Sequence, residues 1–332
     1  MRRFKQRLLR MPLLLIPAYF IVRILHGLAV YRRMCRDYGE TADWYSAFST
    51  SGGDVYFAAS AYRAAVDRDG TGSSARFLTM GEGERQIALW FGLEGTVAIS
   101  ERSSNNLLRM YRFLKADHSL RLHIMHCQPA QMYVDLCEHL LSFRQFDFLT
   151  MLRLCYGGVL SRELAAPLVP EDVGETVEQF FCEKGLRPNR TVVLAPYAYC
   201  MEMLPAEQWG RLAASLESRG FSVCTNCSGG ERPIPGTVAV SIPYRYMPGF
   251  LERAGYLIAL RSGLVDATHT ASCKRIILYP KKNFNMWGVG TPMDCFSLKK
   301  MGLRDDAVEL EYGYGGADEL YSLIWRAVET WT

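Results

Sequence analysis

Apolar runs of strand length alternate with amphipathic stretches along most of the chain. Trp44 to Phe48 reads as a first strand. The Gly-rich turn Ser49-Thr50-Ser51-Gly52-Gly53-Asp54 follows, then an Ala-rich helix from Val55 to Val66. Strands at 75–80, 96–99 and 120–125 and helices at 83–91 and 103–116 continue the series, and 129–153 is mainly helical in pattern. Strands and helices alternating at this spacing predict βαβ units around a parallel sheet. The pattern loosens over 161–190, at Pro167, Pro170 and Pro188. A second series begins with a strand at Thr191 to Ala195 and a helix at Pro205 to Arg219. Strands at Phe221 to Thr225 and Thr237 to Val240 follow, then a helix near Met247 to Ala254. Residues 281–312 look irregular, and Ala317 to Thr330 reads as a last helix. The expected organisation is an N-terminal segment (1–40), a first α/β domain (41–165), a linker (166–188), a second α/β domain (189–312) and a C-terminal helix (313–332). A ligand cleft is expected between the two domains.

The most informative stretch is Tyr256 to Pro280. One apolar run, Tyr256 to Leu260, stops at Arg261-Ser262-Gly263; a short helical segment leads to a second run, Arg275 to Tyr279. Open α/β sheets bind ligands at the carboxyl ends of their strands, where this turn lies. Backbone N–H groups at a helix start and the Arg261 fork suit a phosphate or diphosphate. An ordinary βα turn with a surface Arg has the same pattern.

The 332 residues are enough for two domains, and 49% hydrophobic with 22% charged residues is a globular composition. The charge is uneven. Residues 1–40 hold nine Lys/Arg against Asp37 and Glu40, a net of +7. The rest holds 29 of the 38 basic and 32 of the 34 acidic residues, a net of −3. The body is therefore no polyanion binder. The distribution argues against nucleic acid and for an anionic membrane surface as the partner of residues 1–36. Met11 to Val22 is twelve apolar residues behind a basic start. A signal peptide would lack its cleavage site here. A spanning helix would carry Arg23, His26, Pro12 and Pro17. A monotopic anchor tolerates the basic flanks, and an ordinary soluble helix is the bland alternative. The expectation is a peripheral or monotopic protein on the cytoplasmic face of a membrane. Ten scattered cysteines fit a reducing compartment. Cys224-Thr225-Asn226-Cys227 has no second CxxC and no CxxH to complete a zinc site.

The second half resembles the donor-binding half of GT-B glycosyltransferases of the heptosyltransferase-like type. The residues that carry this are Val192-Val193-Leu194-Ala195-Pro196-Tyr197, Leu204-Pro205-Ala206-Glu207-Gln208-Trp209, Gly220-Phe221-Ser222-Val223 and the turn Arg261-Ser262-Gly263-Leu264-Val265-Asp266. That turn is similar to the family's D-[ST]-G-x-x-H. In the first half, Gly53-Asp54-Val55-Tyr56-Phe57-Ala58-Ala59-Ser60 is similar to G-D-x-x-x-[AT]-x-[AP]. The resemblance covers about 45–330 in order. The family's acid before Ser/Thr-Gly is Arg261 here, its His is Asp266, and its basic residue before the W-P step is absent.

The resemblance implies a GT-B fold of two Rossmann-like domains and transfer from a nucleotide-sugar donor to a lipid-linked or cell-surface glycan precursor. The reaction would be inverting, with neither metal nor cofactor. Such a transfer needs a base for the acceptor hydroxyl and dipoles for the leaving diphosphate. Asp54 is the candidate base; an N-cap role is its structural alternative. His126, at a strand end, is a second candidate, with His123 as a strand histidine beside it. Gly52 and Gly53 would let a ligand approach the backbone. Arg261, Ser262, Gly263 and Leu264 are the diphosphate contacts, and Asp266 either orders Arg261 or meets the sugar. Tyr197 and Tyr199 would line the donor cleft, and Arg245 would flank the base or ribose. Lys281 and Lys282 close another strand end. The substituted positions keep two alternatives open: a non-catalytic nucleotide-sugar-binding or scaffold subunit, and a GT-B enzyme of other chemistry such as an epimerase or pyruvyl transferase.

Overall fold

The computed structural model describes residues 15–39, 42–46, 52–69, 75–114, 120–124, 147–150, 164–198, 201–281, 291–313 and 317–331. His126, Tyr199, Lys282, the first residues of the Gly-rich turn and most of 129–153 lie outside them.

In chain order the first half runs α1 (Leu15–Tyr38), β1 (Asp43–Ser46), α2 (Gly52–Asp69), β2 (Ala75–Thr79), α3 (Glu82–Leu89), β3 (Val97–Ala98), α4 (Glu101–Leu114) and β4 (Leu122–Ile124). Its strands form a parallel sheet in the order β3-β2-β1-β4. The second half runs α5 (Val173–Lys184), β5 (Thr191–Ala195), α6 (Ala206–Ser218), β6 (Ser222–Asn226), β7 (Val238–Val240), a 3-10 turn (Tyr244–Tyr246), α7 (Met247–Ala254) and β8 (Gly255–Leu260). Then come α8 (Gly263–Ala267), β9 (Lys274–Pro280), α9 (Pro292–Phe296), β10 (Val308–Tyr312) and α10 (Ala317–Glu329). Its sheet is also parallel, ordered β10-β9-β8-β5-β6-β7. Read from the other edge, this is the doubly wound order with its reversal between β5 and β8.

The sequence explains this layering. β5 is Thr-Val-Val-Leu-Ala with all five residues buried, as a central parallel strand covered on both faces requires. Val192, Leu194, Ile258, Leu260, Ile276 and Leu278 point to one face, against Trp209, Leu212 and Leu216 of α6 and Leu320 and Ile324 of α10. Val193, Ala195, Leu257, Ala259, Ile277 and Tyr279 point to the other. That second face belongs to a core that continues into the first half, through Val55, Tyr56, Phe57, Ala58 and Ala59 of α2. The two halves therefore share one apolar cluster.

Three elements depart from the sequence reading. The loosened stretch 161–190 contains α5, whose Val177 and Phe181 are buried, the Phe181 ring 5.0 Å from Phe250 of α7. The irregular stretch 281–312 contains α9, closed by a Thr291/Asp294 capping box, and β10. Glu309 and Glu311 interrupt any apolar run in β10. Glu309 is accommodated because its carboxylate accepts from Tyr279 Oη at 2.5 Å, Ser297 Oγ at 2.6 Å and the Leu298 amide at 2.7 Å. Composition does not foretell such a long-range set of donors.

Helix α1 lies on α4. A Cβ on Gly27 would overlap the carbonyl oxygen of Asn106 and come within 2.6 Å of Met110 Cβ, so only glycine allows the two backbones this close. Gly27→Leu is expected to lower stability by about 1–3 kcal/mol, measured by urea unfolding. An unchanged midpoint would mean that α1 does not hold to α4 in solution.

Candidate active site

Both sheets reverse their strand order next to a strand followed by a Gly-containing turn. In the first, β1 lies between β2 and β4, and Gly52-Gly53-Asp54 opens α2 beyond it. In the second, β5 and β8 are neighbours; Pro196 and Tyr197 follow one, Arg261-Ser262-Gly263 the other. Crevices at such reversals are where open α/β sheets take ligands.

The two turns meet. A Cβ on Gly53 would overlap Asp266 Oδ2 and lie 3.0 Å from Gly263 Cα, and a Cβ on Gly263 would lie 2.6 Å from the Gly53 nitrogen. At this point the expected cleft is closed by backbone against backbone. Glycine on both sides is what permits it.

Arg261 and Asp266 are both buried, 3% and 6% exposed. Their fork is bidentate, NH1 to Oδ2 at 2.9 Å and NH2 to Oδ1 at 2.5 Å. Arg261 also donates Nε to the Phe296 carbonyl at 2.9 Å and NH1 to the Ser262 carbonyl at 2.8 Å. The guanidinium thus ties the turn to α9 and to the first turn of α8, so its donors face protein acceptors. Asp266 orders Arg261, one of the two roles expected of it, and its carboxylate also abuts Gly53. Burial pushes the Asp266 carboxyl up to about 6, against the pull of Arg261, and the nearby Asp54 charge adds to the rise.

The remaining expected residues fall around this contact. Asp54 stands in the first turn of α2, half-buried. Ser262 occupies the N-cap position of α8 in extended conformation without a capping hydrogen bond, its Oγ buried with no hydrogen-bond partner among the described residues. Leu264 is buried in the shared core. Tyr197 donates its hydroxyl to the Arg232 carbonyl, which leans it toward the loop after β6. Arg245 is exposed and stacks over Tyr246, 4.7 Å from the ring centroid. Its neighbour Tyr244 is the residue that reaches the Gly turn: a Cβ on Gly52 would sit 3.3 Å from Tyr244 Oη. His123 lies 3.3 Å from Asp43 Oδ1 and stacks on Tyr45 at 4.6 Å, within the first sheet.

His269 is the residue that the motif reading missed. It follows Asp266 by three residues, in the turn just after α8, a spacing that a search fixed on the family's own His position passes over. Its Nδ1–H donates to the Asp266 carbonyl at 2.8 Å. Its ring packs against Tyr56 and Phe57 of α2, at 5.9 and 6.5 Å. Burial lowers its basicity, against the opposing pull of its hydrogen bond to the Asp266 carbonyl. Among the described residues no group of His, Cys, Asp and Glu is arranged to hold a metal ion. Cys224 is a buried thiol of β6, and Cys227 donates to the Thr225 carbonyl.

Two solved structures share the overall fold. A glycosyltransferase of family 9 from Veillonella parvula superposes with a TM-score of 0.53 at 9% identity, covering 88% of this chain and 97% of its own. The ADP-heptose lipopolysaccharide heptosyltransferase II of E. coli superposes with a TM-score of 0.52 at 12% identity, covering 85% and 98%. The fold is that of the heptosyltransferase-like glycosyltransferases. No family model and no curated relative matches the amino-acid sequence.

Proposed function

We propose that the protein is a glycosyltransferase that moves a sugar from a nucleotide-sugar donor to a lipid-linked or cell-surface glycan precursor, with inversion and without a metal. The observation that carries this is the confrontation of Gly52-Gly53-Asp54 with Ser262-Gly263 at the reversal points of two parallel sheets. A donor diphosphate would take Ser262 Oγ and the backbone at Gly263 and Leu264, with Tyr197 lining the nucleotide side. Asp54 would accept the proton of the attacking hydroxyl as the bond from anomeric carbon to diphosphate breaks. Arg261 would act through Asp266, keeping the turn in shape, while fixed dipoles stabilise the leaving group. Donor entry requires the Gly53–Gly263 contact to part, a domain motion of the ordinary hinge kind.

A screen of nucleoside diphosphates and their sugars by thermal shift, followed by calorimetry, tests the reading. ADP and ADP-sugars come first, because the E. coli structure is named for such a donor. One nucleotide is expected to raise the melting temperature saturably; no shift across the whole panel would sink the proposal. The buried Arg261–Asp266 pair favours one other reading, a nucleotide-sugar-binding subunit that performs no transfer. Binding with neither transfer nor donor hydrolysis would select it.

A further inference from the structure

Helix α1 has an inner face and an outer face of different logic. Ile24, Leu28, Tyr31 and Met34 pack toward Leu107, Leu108 and Met110 of α4, with Gly27 at the closest approach. The opposite side would be polar on a helix that met only water. Instead its first turns expose Ile21, Val22 and Leu25, the two residues Ile21 and Leu25 each at 57%. The same exposed side then changes to Arg32, Arg33 and Arg36. An apolar patch followed by three cations on one exposed side is the pattern of a helix lying in a membrane interface.

A second observation points to phosphate. Arg23 of α1 lies near enough to Arg109 of α4 for the two charges to repel. Arg23 Nε is buried with no hydrogen-bond partner among the described residues, and its guanidinium sits 5.8 Å from the Tyr19 ring centroid. The Arg23 guanidinium is thus a cation at the edge of the exposed apolar patch, the kind of group that meets an anionic headgroup. Charge complementarity extends along the segment, since residues 1–40 carry a net +7 while the body is net −3.

We propose that α1 docks in the plane of an anionic membrane, with Ile21, Val22 and Leu25 entering the acyl boundary and Arg23, Arg32, Arg33 and Arg36 holding lipid phosphates. The helix does not cross. It is packed on α4 from Ile24 to Met34, and among the described residues no helix is long and apolar enough to span a bilayer. In this orientation the first α/β domain rests on the lipid surface. The proposal stands independently of the sugar-transfer reading, because it rests on α1 and α4 alone.

The test is flotation of the full chain with vesicles of phosphatidylcholine, alone or with about one third phosphatidylglycerol. Flotation with the anionic vesicles, weakened by salt, is expected. Ile21→Glu/Leu25→Glu changes two exposed side chains and should leave the urea midpoint where it is. It is expected to lower vesicle affinity about a hundredfold, since each aliphatic side chain withdrawn from lipid is worth on the order of tenfold. Arg32→Glu/Arg33→Glu should weaken the preference for anionic lipid. Wild-type protein that ignores anionic vesicles, or a double Glu variant that floats like wild type, overturns the proposal. So does light scattering that shows a dimer lost in the Glu variant without any vesicle binding, which would assign the face to a second copy.

Discussion

Asp266→Ala is expected to lower the stability of the folded chain by about 3–5 kcal/mol, the usual consequence of removing one member of a buried ion pair. The reason lies with the residue left behind. Arg261 is 3% exposed and sits between the Phe296 and Ser262 carbonyls, so it has no route to water when its carboxylate goes. Arg261→Met/Asp266→Leu removes both charges together and is expected to recover most of the loss, because apolar replacements of a buried pair are often neutral. Urea unfolding of the single and double variants measures both. A loss below about 1 kcal/mol for Asp266→Ala would place the pair in the surface class, contrary to its burial. The pair also sets a pH signature. The folded Asp266 carboxyl is raised from its ordinary 3.8 to about 6. Over that window the folded chain holds a proton that the unfolded chain has released. Its contribution is therefore full below 3.8 and fades as pH rises to about 6. The wild type should show this slope, and the double variant should lack it.

Asp54→Asn is expected to reduce sugar transfer by about 10²–10⁴-fold, the range for removing a general base, while donor affinity stays the same. The substitution keeps the size of the side chain and removes only its capacity to take a proton. Its structural effect is expected to be small. An acid in the first turn of a helix contributes about 0.3–1 kcal/mol through the dipole, and Asn caps as well as Asp. Transfer rate and donor affinity therefore separate the two roles. Full transfer by Asp54→Asn would remove the base from this residue and leave the first-turn role alone. The measurement matters because Asp54 is close enough to Asp266 for their charges to interact, so the proposed base and the buried pair share one electrostatic environment.

Much of the architecture is legible in the chain. The β-branched and aliphatic runs at Thr191–Ala195, Gly255–Leu260 and Lys274–Pro280 are buried strands in the structure, and the helices between them have the period expected. Polar elements are harder. The strand Val308–Tyr312 carries two glutamates, and α5 sits among prolines. Their apolar contribution is visible only against the residues that they touch. The turn at Arg261 illustrates the same limit within the site. Arg, Ser and Gly at a strand end are compatible with a phosphate cradle, and the chain does not reveal that Asp266, five residues on, already holds the guanidinium.

The sequence by itself determined the period of each element, the parallel α/β class, the pairing of two Gly turns with two domains, and the concentration of positive charge at the N-terminus. These are local properties, set by spacing and composition. Only the tertiary structure decided that Gly53 rests on Gly263, that Arg261 faces inward, that His269 joins the interface between the halves, and that a second apolar patch of α1 faces out. A hydrophobic period says which face of an element is buried and leaves open what covers it. Side-chain partners come from residues far apart in the chain, and their identity exists only once both halves are packed.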